Sequence, residues 1–211
     1  KIDRKNQKRE IMKHLKATIL LCTLFFALGC EETSGIRTIR LAHGLDINHS
    51  VHRAMVKMGE DLDSVSKGKL RIEIYPNQQL GTEREILELI QLGSLDMTKV
   101  SVATLENFAP KTRILGLPYL FESREHAFEV LDGPIGQSLL DNAEQFRLKG
   151  LGYYDAGFRS FYTEKEAVTA PDDLKGLKIR VMESITAMDM VKSLGGSPTP
   201  ISWGELYTSL Q

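Results

Sequence analysis

The sequence has few cysteines, no excess of charge of either sign and no apolar run long enough to span a membrane. Its cysteines are Cys22 and Cys30, and Cys22 falls in a segment that we expect to be removed, so the stability of the mature fold must come from packing. With 27 basic and 28 acidic residues interspersed, nothing indicates a nucleic-acid partner. A nucleophile elbow, a phosphate-binding glycine loop and a zinc helix motif are also missing, which disfavours an enzyme and predicts no cofactor.

The first 30 residues have the layout of a secretory signal. Lys13 and Lys16 follow the first methionine, Met12, and an apolar run over residues 17–28 comes next. A dozen apolar residues after a positive segment are too few to cross a membrane and are typical of a signal peptide. We therefore expect a periplasmic or extracytoplasmic protein, with residues 1–11 as an upstream extension.

The end of the apolar run indicates a lipid-attachment site. Residues 27–30 (ALGC) resemble a lipobox, in which the cysteine is acylated and becomes the mature amino terminus, although Ala27 stands where leucine is usual. Acyl chains on Cys30 would hold the protein stably on a membrane. Ordinary cleavage without lipid is the alternative. A polar linker over residues 31–37 follows.

Strand-like and helix-like patterns alternate after the linker. Alternating side chains predict strands over residues 38–43 and 70–75, with a third strand over 95–100, and apolar residues at helical spacing lie between them. The later predictions are helices over 125–131, 135–146 and 184–194, strands over 150–154 and 177–181, a proline-containing loop over 195–200, and a capped helix from Ser202 onward. This order is typical of an α/β fold, in which ligands bind beyond the carboxyl ends of the strands.

Six short phrases in order resemble the solute-binding proteins of tripartite ATP-independent periplasmic (TRAP) transporters, the DctP family. They are NQQLG (77–81), GSLDM (93–97), LPYLF (117–121), GFR (157–159), LKGLKIRV (174–181), and GGSPTP (195–200) with ELYTSLQ (205–211). The resemblance covers residues 39–211. It implies a periplasmic-binding-protein-like fold of two α/β lobes that close on a ligand by hinge motion, with lobe I at residues 38–156 and the start of lobe II at residues 157–211. Family members run on past Gln211, so we expect the second lobe to be truncated here.

Two arginines are the leading candidates for ligand binding. A guanidinium matches a carboxylate with paired donors in a fixed fork. In the family that this sequence resembles, the arginine at the position of Arg180 pairs with the substrate carboxylate, and the arginine at the position of Arg159 faces the cleft. A surface ion pair for Arg180 and a structural bridge near the hinge for Arg159 are the alternatives.

Three further residues are candidates for the same pocket. Trp203 stands where the family often has an aromatic side chain lining the pocket, and an indole packs well on the apolar face of a sugar ring. A core or capping aromatic on the last helix is the alternative. Ser101 occupies a position where some relatives have an acidic ligand contact, so the polar pattern around the substrate must differ. His43 ends the first predicted strand and is a candidate donor to a ligand hydroxyl.

A zinc site formed by His43, His49 and His52 is conceivable from the spacing of His49 and His52. The sequence pairs no carboxylate or cysteine with them, and His49 followed by Ser50 more simply marks the start of a helix. We therefore predict no metal.

The sequence thus predicts a transport receptor that binds a small organic acid and hands it to TRAP membrane permease subunits. The motif around Arg159 and the motif around Trp203 look closest to relatives that bind sugar acids such as glucuronate or galacturonate. C4-dicarboxylates and other hydroxy acids are the alternative ligands. A sensor that reports ligand to a membrane receptor, and an enzyme on the same sheet architecture, are the alternative functions.

Overall fold

The computed structural model of the protein describes residues 35–164 and 167–211, and strands and helices alternate along much of that length. In chain order the elements are β1 (Arg37–Ala42), α1 (Ser50–Val65), β2 (Leu70–Tyr75), α2 (Glu83–Gln91), β3 (Met97–Thr98), α3 (Val102–Leu105), α4 (Arg124–Leu131), α5 (Pro134–Asn142), β4 (Lys178–Val181), α6 (Ile185–Ser193), β5 (Ser197–Pro200) and α7 (Leu206–Ser209). Short 3₁₀ helices cover Pro110–Gly116, Ala143–Phe146 and Pro171–Leu174.

The strands form two sheets. In the first, β1 lies between β2 and β3, and in the second β4 pairs with β5. β1 and β3 run parallel, with Leu41 opposite Met97. β4 and β5 are also parallel, with Arg180 opposite Thr199. Because parallel neighbours need a crossover connection, usually a helix, this arrangement confirms the predicted α/β class.

Polar side chains ahead of the helices explain where the helices begin. Thr82 forms a capping box at the start of α2: its hydroxyl accepts a hydrogen bond from the Glu85 backbone N–H, and the Glu85 carboxylate accepts one from the Thr82 N–H. His49 Nδ1 accepts from the Val51 N–H at the start of α1, which confirms that His49 marks a helix start. Serines cap α3, α4 and α6 in the same way, at Ser101, Ser123 and Ser184.

Helix α2 contributes to two buried apolar clusters through adjacent side chains. The first cluster contains Leu87, Ala109, Ala143 and Leu148, and the second contains Ala42, Ile86 and Leu95. Full burial of a side chain such as Ile86 or Leu87 stabilises the fold by about 1.5–3 kcal/mol. The second cluster fixes α2 against β1 and the segment that leads into β3, so the first turn of α2 lies beside the carboxyl ends of these strands.

Several predicted element boundaries were wrong. Residues 150–154 form no strand, and the third predicted strand shortens to β3. The predicted proline-containing loop over 195–200 contains strand β5. The final helix is limited to α7 and begins after Glu205 without a side-chain cap, because the Ser202 hydroxyl donates to the Glu205 carboxylate at 3.0 Å instead of capping the helix.

Contacts divide the chain into two units, Lys1–Arg37 and Thr38–Gln211, and the elements from α1 onward belong to the second. The predicted signal peptide, the lipobox at Cys30 and most of the linker over residues 31–37 lie outside the described residues. Within the described part of the chain, no helix combines the length and the apolar character needed to cross a membrane.

Candidate functional site

Arg180 lies on β4 with its side chain partly buried under the loop that follows β5. Its Nε and Nη2 groups both donate to the Ile201 carbonyl, at 3.0 and 2.6 Å. A guanidinium has five N–H donors, so this carbonyl uses two and fixes the plane of the group. The parallel pairing of β4 with β5 explains the contact, because it brings the end of each strand to the same edge of the sheet.

A second guanidinium lies near the first. Arg159 Nη2 is 3.4 Å from the Ser101 hydroxyl and 3.8 Å from Met182 Sδ, just beyond the end of β4. Burial lowers the pKa of Arg180 from its ordinary value, the charge of Arg159 lowers it further, and the charge of Glu83 raises it. The structure therefore brings Arg180, Arg159 and Ser101 close to one another.

Ser101 holds a structural position within this group. Its hydroxyl accepts from the Ala103 N–H as the cap of α3, at 3.3 Å, besides its contact with Arg159. Its own N–H donates to both oxygens of the Glu83 carboxylate at 3.1 Å. A ligand that reaches Ser101 therefore meets a hydroxyl whose orientation is already fixed by a helix start.

Glu83 is a residue of the site that the sequence reasoning missed. Its carboxylate also accepts from the Thr104 hydroxyl at 2.9 Å and lies 3.7 Å from Lys99 Nζ. The Glu83 and Lys99 side chains are 12% and 19% exposed, so both charges are largely withdrawn from water. An acidic residue in the first turn of a capped helix is common in sequences, and only the fold brings this one next to the arginines.

His43 follows β1 and is completely buried. Its Nδ1 accepts from the Leu45 N–H at 3.0 Å, so its Nε2 must carry the proton, which it donates to His52 Nδ1 at 3.0 Å. Burial first, and then the charges of His52, Lys99 and His49, lower the pKa of His43 to about 4. Both ring nitrogens are therefore engaged, and a contact from His43 to a ligand hydroxyl would require His52 to move away.

Trp203 lies in the turn between β5 and α7 with 54% of its surface exposed. The next residue, Gly204, packs directly on the Gln78 side chain, and a Cβ atom at Gly204 would collide with Gln78 Oε1. Gln78 in turn donates its backbone N–H to the His43 carbonyl at 3.2 Å. The fold thus places the Trp203 turn next to the segment that carries His43, so all five predicted site residues lie around the ends of β1, β3, β4 and β5.

The three histidines near the end of β1 make other contacts. Within residues 35–164 and 167–211, no group of three or more histidine, cysteine, aspartate or glutamate side chains is placed to hold a metal ion. His43 and His52 bind each other, and His49 caps α1.

A groove of about 510 Å³ lies at the opposite end of α2 and contains none of these residues. Its lining is Glu88, Gln91, Leu92, Gln145, Phe146 and Arg147. It is therefore separate from the arginine site.

Comparison with known proteins finds a matching family model and several similar proteins. Residues 41–211 match the family described as bacterial extracellular solute-binding protein, family 7. The chain is similar to the uncharacterized protein YiiZ of Salmonella typhimurium, with 39% identity over 199 residues that cover 93% of this chain and 59% of that protein.

Two solved structures share its fold. One is a TRAP periplasmic solute binding protein from Bradyrhizobium sp. BTAi1 in complex with α/β-D-galacturonate, with 43% identity and a TM-score of 0.79 over 82% of this chain and 58% of that one. The other is from Anaerococcus prevotii with bound α/β-D-glucuronate, with 37% identity and a TM-score of 0.80 over 82% and 57%. The present chain spans less than two thirds of the length of each of these relatives.

Proposed function

Because the chain belongs to the bacterial extracellular solute-binding proteins of family 7, the DctP family, we propose that its protein captures a small organic acid and delivers it to a TRAP-type permease. The family consists of solute-binding proteins, so the proposed role is that of a receptor. The acid is a sugar acid of the glucuronate or galacturonate type.

The observation that carries this proposal is the pair of guanidinium groups at the ends of β3 and β4. Arg180 is partly buried, and its pKa is lowered both by that burial and by the nearby charge of Arg159. The two positive charges repel each other. An anion between them would relieve the repulsion and accept hydrogen bonds from guanidinium N–H groups that have no acceptor among the described residues of the protein. A carboxylate is the anion whose geometry fits a guanidinium best.

The sugar-acid class rests on likeness to two receptors. The relatives from Bradyrhizobium and Anaerococcus, at 43% and 37% identity, were solved with galacturonate and glucuronate. In this chain, the exposed Trp203 indole offers a flat apolar surface that suits the face of a sugar ring. Ser101 adds a fixed hydroxyl beside Arg159.

In the proposed mechanism the ligand carboxylate pairs with Arg180, and Arg159 and Trp203 then close around it. Lobe I (residues 38–156) and lobe II (from residue 157) approach each other by hinge motion. An unpaired guanidinium is costly to bury, so closure depends on the anion. His43 stays paired with His52 during entry and donates to a ligand hydroxyl only if that pair opens.

The proposed site of action is the extracytoplasmic face of the membrane. The signal-like first 30 residues support export, and acylation of Cys30 would anchor the receptor near its permease. Metabolic labelling with a radioactive or clickable fatty acid checks the anchor, because Cys30→Ser should abolish the label.

A thermal-shift screen of the full-length mature protein tests the function. A ligand that binds the folded state raises the melting temperature by mass action. We expect a rise with D-galacturonate or D-glucuronate and none with neutral galactose. A rise in melting temperature with C4-dicarboxylates alone would indicate that the ligand is a C4-dicarboxylate and not a sugar acid. An unchanged melting temperature with every acid, or turnover of the bound acid in a product assay, would contradict the proposed function as a receptor.

A further inference from the structure

Gln78 lies in the turn after β2 with an unusual backbone. Asn77 and Gln78 both have a left-handed conformation, with φ of 54° and 57°. Asparagine tolerates this conformation, but it is uncommon for glutamine. Two hydrogen bonds to the segment after β1 hold the turn: the Asn77 N–H donates to the Leu45 carbonyl at 3.0 Å, and the Gln78 N–H donates to the His43 carbonyl at 3.2 Å. Strain of this kind persists where the surrounding structure fixes it, and it is frequent at ligand sites.

The Gln78 side chain is enclosed by two glycines from distant parts of the chain. A Cβ atom at Gly44 would lie 3.2 Å from Gln78 Cγ, and one at Gly204 would collide with Gln78 Oε1. Two segments that meet at this side chain thus have glycine where a larger residue would displace it. The amide is consequently held in one place, between the end of β1 and the turn that carries Trp203.

The amide nitrogen of Gln78 is buried, and among the described residues none accepts a hydrogen bond from it. A buried donor without an acceptor costs free energy, and an apolar side chain of the same length would avoid that cost. A long polar side chain in a strained turn therefore indicates an acceptor that arrives with a ligand.

The position of this amide relative to Arg180 suits one ligand that contacts both. The Arg180 guanidinium binds the Ile201 carbonyl, and Gln78 packs on Gly204 of the same loop. The three steps from Ile201 to Gly204 span at most about 11 Å. An acid with its carboxylate at Arg180 would therefore direct its remaining atoms along this loop toward Trp203 and Gln78.

We propose that the Gln78 amide donates a hydrogen bond to a hydroxyl or ring oxygen of the bound acid and thereby selects hydroxylated acids over acids that lack that oxygen. This inference rests on the proposed function and makes Gln78 a specificity-determining residue of the same site. A neutral donor adds no charge, so it discriminates among acids of equal charge. An acid without the matching oxygen leaves the amide unpaired, and unpaired polar groups of a site give the strongest rejection of an analogue.

The test combines a variant with a series of ligands. Gln78→Met keeps the length of the side chain and removes the amide, and Gln79→Met is the matched control on the neighbouring exposed residue. Isothermal titration of the full-length protein with D-galacturonate and its single-deoxy analogues should show one hydroxyl whose removal weakens binding to the wild type about tenfold or more. In Gln78→Met that particular loss should disappear, while the losses at other hydroxyls persist, and Gln79→Met should match the wild type.

Equal weakening by Gln78→Met for every analogue, or no weakening at all, would overturn the inference and leave Gln78 with a packing role. Gln78→Glu is a second variant for the case in which Gln78→Met fails to fold, because a carboxylate of the same shape cannot donate and should also erase the loss at that hydroxyl. If wild-type protein binds galacturonate and its analogues with equal affinity, the inference fails while the proposed function stands. If it binds no acid, the proposed function fails first.

Discussion

Arg180 is the side chain on which the proposed binding of an acid depends most. Arg180→Ala removes the fork that faces the carboxylate and leaves the Ile201 carbonyl without its two donors. We expect affinity for the acid to fall by about 2–5 kcal/mol, since a buried charge-assisted pair is lost. Arg180→Lys should recover only part of this, because an ammonium cannot bind in the bidentate geometry.

Isothermal titration with galacturonate measures the effect. Arg71→Ala, which removes an exposed arginine on β2, is the control and should bind normally. Unchanged binding by Arg180→Ala would remove this residue from the site.

Glu83 limits the positive charge that the arginines present to a ligand. Its charge raises the pKa of Arg180, against the lowering by burial and by Arg159. Glu83→Gln removes the charge and keeps a side chain of the same shape. The electrostatic gain scales with the charge of the ligand, so the affinity for dianionic galactarate should rise severalfold relative to that for monoanionic galacturonate.

The ratio of the two dissociation constants isolates this effect, because any loosening of Ser101 affects both ligands alike. Glu88→Gln, on the exposed part of α2, should leave the ratio unchanged. A ratio equal to that of the wild type in Glu83→Gln would show that Glu83 only positions Ser101.

His43 makes folding stability depend on pH in the acidic range. Its folded pKa of about 4 lies below the ordinary value of 6.5, so the unfolded chain binds a proton that the folded chain does not. Stability is therefore full above pH 6.5 and falls as the pH approaches 4. Between pH 7 and pH 5 we expect the free energy of unfolding to fall by about 2 kcal/mol because of this group.

Urea unfolding at the two pH values measures the loss. His43→Asn keeps an acceptor for the Leu45 N–H without a titrating ring, so its unfolding free energy should change less with pH. Gln79→Asn, on an exposed residue without a titrating group, is the control and should keep the slope of the wild type. An equal slope in His43→Asn would contradict the assignment.

At the scale of elements, the alternation and helical spacing of apolar residues predict those strands and helices whose local sequence has such a pattern. Strand β5 was missed because Pro198 and Pro200 indicate a loop. In the structure, Ser197 donates its N–H to the Leu177 carbonyl, and Ile201 donates to that of Val181. In a parallel pair every second residue faces the partner, so the prolines fall at positions that need no donor toward β4. The strand predicted over residues 150–154 is the opposite error, a strand that the structure does not contain. The local pattern cannot reveal whether a neighbouring strand is there to pair with it.

The start of α6 depends on Glu106, a residue 78 positions before its cap. The Glu106 side chain is completely buried, and its Oε1 accepts from the Ser184 hydroxyl at 3.0 Å and from the Thr186 N–H at 2.9 Å. Glu106→Ala would leave both donors unpaired beside a cavity, so we expect a loss of about 2–4 kcal/mol in the free energy of unfolding. Glu106→Gln keeps an acceptor oxygen and should lose clearly less.

Urea denaturation of the two variants measures the difference. Glu129→Ala, on the exposed face of α4, is the control and should stay within about 0.5 kcal/mol of the wild type. Equal losses in Glu106→Ala and Glu106→Gln would show that the charge, and not the acceptor, holds α6.

At the scale of the whole molecule, most residues of the candidate site could be predicted only from the resemblance to the family. Arg180, Arg159, Ser101 and Trp203 were named through the family. The fold places Arg159 beside Ser101 and near Arg180, and Trp203 in the turn after β5. Glu83 and Gln78 were missed, because their roles come from residues 18 and 126 positions away along the chain, Ser101 and Gly204. His43 was named as a ligand donor, but the sequence could not reveal that His52 engages its Nε2.

Closure of the molecule around its ligand should depend on the negative charge of that ligand. Bringing Arg159 and Arg180 into a closed cleft without an anion would bury two repelling charges, so the ligand-free protein should remain open. Small-angle scattering of the full-length mature protein should therefore show a smaller radius of gyration with saturating galacturonate than without it. Neutral galactose should cause no change, and Arg180→Ala should stay open at the galacturonate concentration that closes the wild type. A radius that is equal with and without galacturonate, at a concentration where titration shows full binding, would mean that the site forms without hinge motion and that the arginines bind the acid in a preformed pocket.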